Sequence, residues 1–325
     1  MSRLDAKPQI GKLASDLGLK KTAKPVSQII QLVRKRIRSI AAKYNCQSLQ
    51  TLLKAAAAEL GTVFREIHSD ADLDNLAEEY VAKGETIFAN LPNELRKNDY
   101  GITIKRRHAH SWEPPFVSVI DCRGEKIFRA YFTKWHELAH LLTLTPQMRL
   151  VFRRTHGAAL QDPEEGLMDV IAGELGFFSD LLPLDGASDV SFENIDRIRS
   201  EFCPDASYQA SLIGIVKALP QPCILLDVEL ARKKGQLRHE PAALRAIHVT
   251  VNQAAREAGL QMHRWWRVPA NSIIHEAFDR QRYSEAEENL DWWTTSDGAR
   301  LPPCPILVKA KPASGSIVVL VVPLD

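Results

Sequence analysis

No stretch of this chain is apolar for long enough to cross a bilayer. A spanning helix needs about 20 consecutive apolar residues. The most apolar run, Ser316–Leu324, stops far short of that and contains Pro323, and its valines point to a buried strand. The N-terminal segment MSRLDAKPQIGKLASDLGLKK lacks an apolar core of signal-peptide length. Cysteine is sparse: Cys46, Cys122, Cys203, Cys223 and Cys304 form no CxxC, and an odd, dispersed set fits a reducing compartment rather than a disulfide framework. An excess of one charge is also missing. Lys and Arg total 42 against 40 Asp and Glu, a net +2, so no global attraction to nucleic acid or anionic lipid follows. There is no internal repeat or low-complexity segment. These absences predict a cytoplasmic protein with no membrane partner.

What is present is the composition of an ordinary globular protein, 45% hydrophobic and 25% charged over 325 residues, enough for two or three modules. Residues 26–60 show helical spacing of Ile29, Ile30, Val33, Ile37 and Ile40, with Arg34, Lys35, Arg36 and Arg38 between them. Thr62–Ile67 reads as a strand and Asp72–Asn90 as an amphipathic helix. Tyr100–Lys105 and Pro115–Asp121 read as strands. Phe128–Thr143 then reads as a buried helix with Phe128, Tyr131, Phe132, Trp135, Ala139 and Leu142 in one apolar stripe. Asp162-Pro163 signals the start of a helix running to about Ser179. Farther on, Phe192–Phe202 and Tyr208–Leu219 predict two helices, Cys223–Val228 a strand and Pro241–Ala258 a helix. Ile306–Lys309 and Ser316–Val322 predict closing strands.

Residues 136–140 read His-Glu-Leu-Ala-His. Positions i and i+4 share a helix face, so the His136 and His140 imidazoles can reach one tetrahedral metal. Glu137 projects to one side, where it can take a proton from water acidified by the metal. The competing reading is a pair of hydrogen-bonded core histidines. A catalytic zinc needs a third protein ligand, and the 162–179 helix offers Glu165, with Glu164 in reserve. Asp169, four residues on, could hold the ring nitrogen of a ligating histidine. Alternatively Glu165, at the third position after the Asp162 cap, could close a capping box.

The segments YFTKWHELAHLL (Tyr131–Leu142) and Glu165-x-x-Met168-Asp169-x-Ile171-Ala172-x-Glu174-Leu175 together resemble the ImmA/IrrE metallopeptidases, which belong with the gluzincins. The resemblance spans roughly 61–182 and weakens beyond. Met168 stands where the family has a small residue, and Leu175-Gly176-Phe177-Phe178 departs from the usual Leu-Leu-x-Pro. The resemblance implies one Zn2+ per chain held by His136, His140 and Glu165, with Glu137 as the base. It implies an α+β chain: an N-terminal helical extension (1–60), a zincin-like peptidase domain (61–186), a helix-turn-helix-like connector (187–222) and a C-terminal sensory-type α/β module (223–325), GAF-like in several relatives. Such enzymes cut a helix-turn-helix transcriptional repressor and so switch on a stress, DNA-damage or phage-defence response. The alternative is a non-proteolytic anti-repressor that senses DNA or a ligand. The intact Glu137 favours the enzyme.

Other features carry two readings each. Cys122 ends the strand before the active-site helix. If that strand borders the cleft, its thiolate could take the fourth metal position and silence the enzyme; otherwise it is a structural cysteine. Arg34, Lys35, Arg36 and Arg38, with Lys105, Arg106 and Arg107, are either solvated faces or contacts to single-stranded DNA acting as an activator. Trp265-Trp266 and Trp292-Trp293 either stack on bases or pack a core. His108 and His110 are substrate contacts or a solvated loop. Tyr131, Arg153 and His156 are the candidates for oxyanion stabilisation.

Overall fold

Each of the first three helices begins at a start signal in the sequence. The computed structural model describes all residues except 1–3, 97, 146–150, 156–161, 185–189, 234–240, 296–297 and 325, with 151–155 described by their backbone only. Pro8 opens α1 (Pro8–Asp16) and Pro25 opens α2 (Pro25–Lys43), at a position where a missing N–H leaves no bond unmade. Ser48 caps α3 (Leu49–Glu59) by a reciprocal pair with Thr51. Ile29, Val33 and Ile37 of α2 are buried at four-residue spacing, the stripe by which the helix packs. The single helical pattern of 26–60 is thus two helices. They part at Asn45, whose φ of 49° lies in the left-handed region that ends helices.

The first unit covers Met1–Leu181 and Phe202–Ser207. After α3 it continues with β1 (Thr62–Ile67), α4 (Asp70–Ala82), α5 (Leu91–Glu94), β2 (Asp99–Lys105), β3 (Phe116–Asp121), α6 (Ala130–Leu142), β4 (Val151–Thr155) and α7 (Pro163–Gly176). Its sheet has the order β1-β3-β2-β4. β1 and β3 are parallel, while β2 runs antiparallel to both β3 and β4. β3 is therefore an interior strand, and every one of its residues is buried.

Helix α6 has Trp135, Leu138 and Ala139 with no exposed surface. It packs closely on α7 because position 176 is glycine: a Cβ there would lie 3.2 Å from Trp135 Cδ1. The Tyr131 hydroxyl donates to the Gly176 carbonyl at 2.5 Å. Two sequence boundaries shift. Residues Gly124–Arg129 form a 3-10 turn, and Phe128 is 68% exposed, so the apolar stripe starts at Ala130. The helix expected over 72–90 stops at Ala82, because Gly84 turns the chain at φ +85° before a 3-10 turn over Thr86–Asn90.

The second unit covers Leu182–Glu201 and Tyr208–Asp325. It contains α8 (Phe192–Phe202, its last residue grouped with the first unit), α9 (Tyr208–Ala218), β5 (Ile224–Ala231), β6 (Ala243–Val251), α10 (Gln253–Glu257), α11 (Ile273–Arg280), β7 (Ser284–Asn289), β8 (Pro305–Ala313) and β9 (Ser316–Pro323). The sheet order is β6-β5-β9-β8-β7, antiparallel throughout. Segment 241–258, expected as one helix, is the edge strand β6 for half its length, and only Gln253–Glu257 is helical. Leu244 and Ala246 are buried and Arg245 is not, which is the period of a strand. Trp266 and Trp293 lie in the core of this unit, whereas Trp265 and Trp292 are 38% and 37% exposed. The chain as a whole mixes helix and strand. Among the described residues no helix is long and apolar enough to cross a membrane.

Candidate metal centre

Helices α6 and α7 carry the residues that meet in the first unit. His136 and His140, one turn apart, are both buried. Glu165 comes from the first turn of α7, which Asp162 caps by accepting from the Glu164 N–H at 2.9 Å. That contact goes to Glu164, and the Glu165 side chain closes no capping box. Its carboxylate instead lies 3.1 Å from His136 Nε2 and 3.2 Å from His140 Nε2. The two Nε2 atoms are 3.2 Å apart. Asp169, one turn along α7, approaches His136 Nδ1 at 3.0 Å.

These contacts cannot all be hydrogen bonds of neutral imidazoles. With Nδ1–H of His136 donated to Asp169, its Nε2 carries a lone pair. That lone pair faces a carboxylate oxygen and a second ring nitrogen. Glu165 turns Oε2 toward His136 and Oε1 toward His140, so a single proton can bridge only one of the three contacts and leaves the others repulsive. A cation satisfies all three. For Zn–N and Zn–O distances of about 2.0–2.1 Å in a tetrahedron, ligand atoms sit roughly 3.3–3.4 Å apart, close to the 3.2 Å between the two Nε2 atoms. The residues therefore fit a metal, and His136, His140 and Glu165 form a possible metal-binding triad. Burial alone would raise the Glu165 carboxyl, but its contacts with His136 and His140 outweigh burial and hold it at about 2. It is an anion at neutral pH, as a ligand must be. Glu164, the reserve, is not in the triad.

Glu137 has no exposed surface. Its Oε2 accepts from the Thr103 hydroxyl at 2.6 Å. Thr103 Oγ1 lies 2.7 Å from Ser118 Oγ, which lies 2.9 Å from Thr62 Oγ1. Because Thr103 gives its proton to Glu137, it must accept from Ser118, and Ser118 in turn from Thr62. The result is a one-way relay of hydroxyls across β1, β3 and β2, pointed at one carboxylate oxygen. The other oxygen, Oε1, is buried with no hydrogen-bond partner. Burial raises the Glu137 carboxyl, while His140, His136 and Thr103 act against that.

Sequence reading missed Thr103, Ser118, Thr62 and Gly101. The signal was the alternation Gly101-Ile-Thr103-Ile-Lys105, which turns a small, polar face of β2 toward α6. Gly101 is the seat of the carboxylate. A Cβ there would come within 2.7 Å of Thr133 Cγ2 and 3.1 Å of Glu137 Oε1. Gly101→Ala is expected to destabilise the first unit by about 1–3 kcal/mol, the range for overpacking, read as a lower urea midpoint. Asp169→Ala, which frees the His136 ring to rotate, is expected to weaken metal binding about 10- to 100-fold in a chelator-competition titration.

Several other expected site residues lie elsewhere. Cys122 is not at the triad. The strand it follows is interior, not the edge, and its side chain packs with Ile120, Ala130 and Phe64. Burial beside Glu66 pushes its thiol to about 11. Arg34 pairs with Glu174, the Arg36 guanidinium donates to the Leu142 carbonyl at the C-terminus of α6, and Arg38 pairs with Asp180 at 2.7 Å. These three dock α2 on its neighbours, with Arg36 also favoured by the helix dipole. Arg106 is buried between Glu85 at 3.3 Å and Glu113 at 3.0 Å. Of the basic clusters, Lys35, Lys105 and Arg107 remain as exposed side chains without such an ion pair. His110 is exposed and stacks on Trp112 at 4.6 Å. Tyr131 is buried with its hydroxyl committed to Gly176, which removes it as an oxyanion donor. His156 and the Arg153 side chain lie outside the described residues. No family model matches the chain, and no curated protein matches it either.

Proposed function

We propose that this chain is a zinc-dependent, site-specific endopeptidase whose substrate is a helix-turn-helix transcriptional repressor. One observation carries the reading: a fully buried carboxylate, Glu137, with one oxygen held and the other unpartnered, adjoins donor atoms that converge from His136, His140 and Glu165. When bound, zinc supplies Lewis acidity toward a peptide carbonyl and acidifies water. The residues do the rest. Asp169 fixes the His136 tautomer, which keeps the Nε2 lone pair directed at the ligand position. Thr103 holds one oxygen of Glu137 and leaves Oε1 to receive a proton. A general base needs a carboxylate fixed in direction with one unoccupied acceptor, and that is what this arrangement offers. A purely structural metal site would have no use for it.

The repressor, the zincin-like and GAF-like assignments and the stress, damage or defence setting rest on the resemblance of the two α6 and α7 motifs to ImmA/IrrE peptidases. A single antiparallel sheet carrying flanking helices supports a sensory module in the second unit. Activation by single-stranded DNA would fall to Lys35, Lys105 and Arg107, since Arg34, Arg36, Arg38 and Arg106 are engaged within the chain. The test is to incubate the zinc-loaded protein with candidate helix-turn-helix repressors, those of neighbouring genes first, and read fragments by intact mass. One or a few discrete cuts support the enzyme. Relief of repression with the repressor left whole favours the anti-repressor reading instead.

A further inference from the structure

We propose a second metal site in the first unit, formed by Cys122, His68 and Glu66, that takes a thiophilic divalent cation of the zinc class. The donor atoms of the three side chains all lie within 4.8 Å of one another. They meet because β1 and β3 run parallel and end together: Ile67 pairs with Asp121, and the Cys122 N–H donates to the Ile67 carbonyl at 2.8 Å. Glu66 and His68 are two residues apart at the end of β1, a spacing that turns both to one face, and their side chains are 3.5 Å apart there.

The surroundings hold each donor in place. Immediately after His68, Ser69 and Asp72 form a reciprocal cap on α4, and Asp72 also accepts from the His68 N–H at 3.0 Å. The backbone that carries the imidazole is therefore fixed. Lys134 binds Glu66 Oε1 at 2.5 Å, which aims the other oxygen, Oε2, at His68 Nε2. An outer partner of this kind orients a ligating carboxylate. Cys122 is buried while Glu66 and His68 are 40% and 54% exposed, so the sulfur sits at the floor of a site open on one side. Thiolate, imidazole and carboxylate are the donor types zinc accepts, and the thiolate disfavours calcium and magnesium. On binding, the cation exchanges hydration waters for one sulfur, one nitrogen and one oxygen, and the Cys122 thiol gives its proton to solvent. Before the metal arrives the thiol carries its proton and Glu66 is balanced by the Lys134 ammonium, so the charge that holds the cation appears only as Cys122 ionises on binding.

This site is independent of the peptidase reading, because it shares no ligand with the α6–α7 triad. Cadmium is the probe, since thiolate-to-cadmium charge transfer absorbs in the ultraviolet, and cadmium held by His136, His140 and Glu165 has no sulfur ligand. Titration of the full chain is expected to give a band equal to one thiolate per chain. Cys122→Ser should abolish it, His68→Ala should weaken binding about tenfold or more, and His140→Ala should leave it in place. His68 is exposed at a strand end, so its variant keeps the test decisive if the buried serine is poorly tolerated. Absence of the band, its survival in Cys122→Ser, or unchanged affinity in His68→Ala overturns the proposal.

Discussion

Replacing Glu137 by Gln is expected to lower repressor cleavage by about a hundred- to ten-thousandfold, the usual cost of losing a general base, with metal content unchanged. The amide matches the carboxylate in size and can still accept from Thr103 through its carbonyl oxygen. Its NH2 would then occupy the position of Oε1, the oxygen with no partner, and an NH2 cannot take a proton. Glu137 contributes no atom to the triad, so zinc should remain stoichiometric. The measurement is a single-turnover cleavage rate beside a metal assay on the same preparation. Cleavage at the wild-type rate would assign the base elsewhere.

Glu165→Ala is expected to have the largest effect on the metal itself. Loss of an outer partner typically costs about 10- to 100-fold in affinity, and loss of a direct ligand should exceed that. Two neutral imidazoles would be left to hold the cation without an anionic donor. The predicted readout is purification with close to one zinc per chain fewer than the wild type, matched by His140→Ala. Retention of full zinc in Glu165→Ala would remove the third-ligand assignment. Glu164 could then take the role only if the first turn of α7 rotates, because its side chain is not in the triad.

The chemistry of the site was more legible than its scaffold. His136, Glu137 and His140 share a short helical segment, and helix geometry alone sets their relation. Asp162-Pro163 marked the start of α7, which put Glu165 and Asp169 one turn apart on one face. Whether Glu165 served a cap or the histidines depended on how α7 meets α6. That is a tertiary fact, carried in part by Gly176 against Trp135. The same limit hid the hydroxyl relay, because Thr62, Ser118 and Thr103 come together only through the β1-β3-β2 strand order. It also misplaced Cys122, which would border a cleft only on an edge strand.

Elsewhere, local propensity lost to pairing. The alanines around 241–258 suggested a helix, yet β6 gains eight paired positions against β5 from Ile224↔Val251 to Ala231↔Ala243, and strand preference follows such context. β7, Ser284-Glu-Ala-Glu-Glu-Asn289, gave no strand signal because this edge strand exposes Glu285 and Glu287 and buries Glu288 only where Ser272 and the Ile273 N–H donate to it. The arginines of α2 looked like a basic surface, since charge runs on amphipathic helices usually face solvent. Their carboxylate partners, Glu174 and Asp180, are far away in sequence.

Anomalous diffraction at the zinc edge, on crystals of the protein purified without added chelator, tests the central claim most directly. A peak is predicted within about 2.0–2.2 Å of His136 Nε2, His140 Nε2 and a Glu165 oxygen, with Asp169 still on His136 Nδ1 and Glu137 outside ligand distance. Refinement of the triad with no metal after zinc has been supplied, or a peak that engages Glu137 in place of Glu165, would contradict the account.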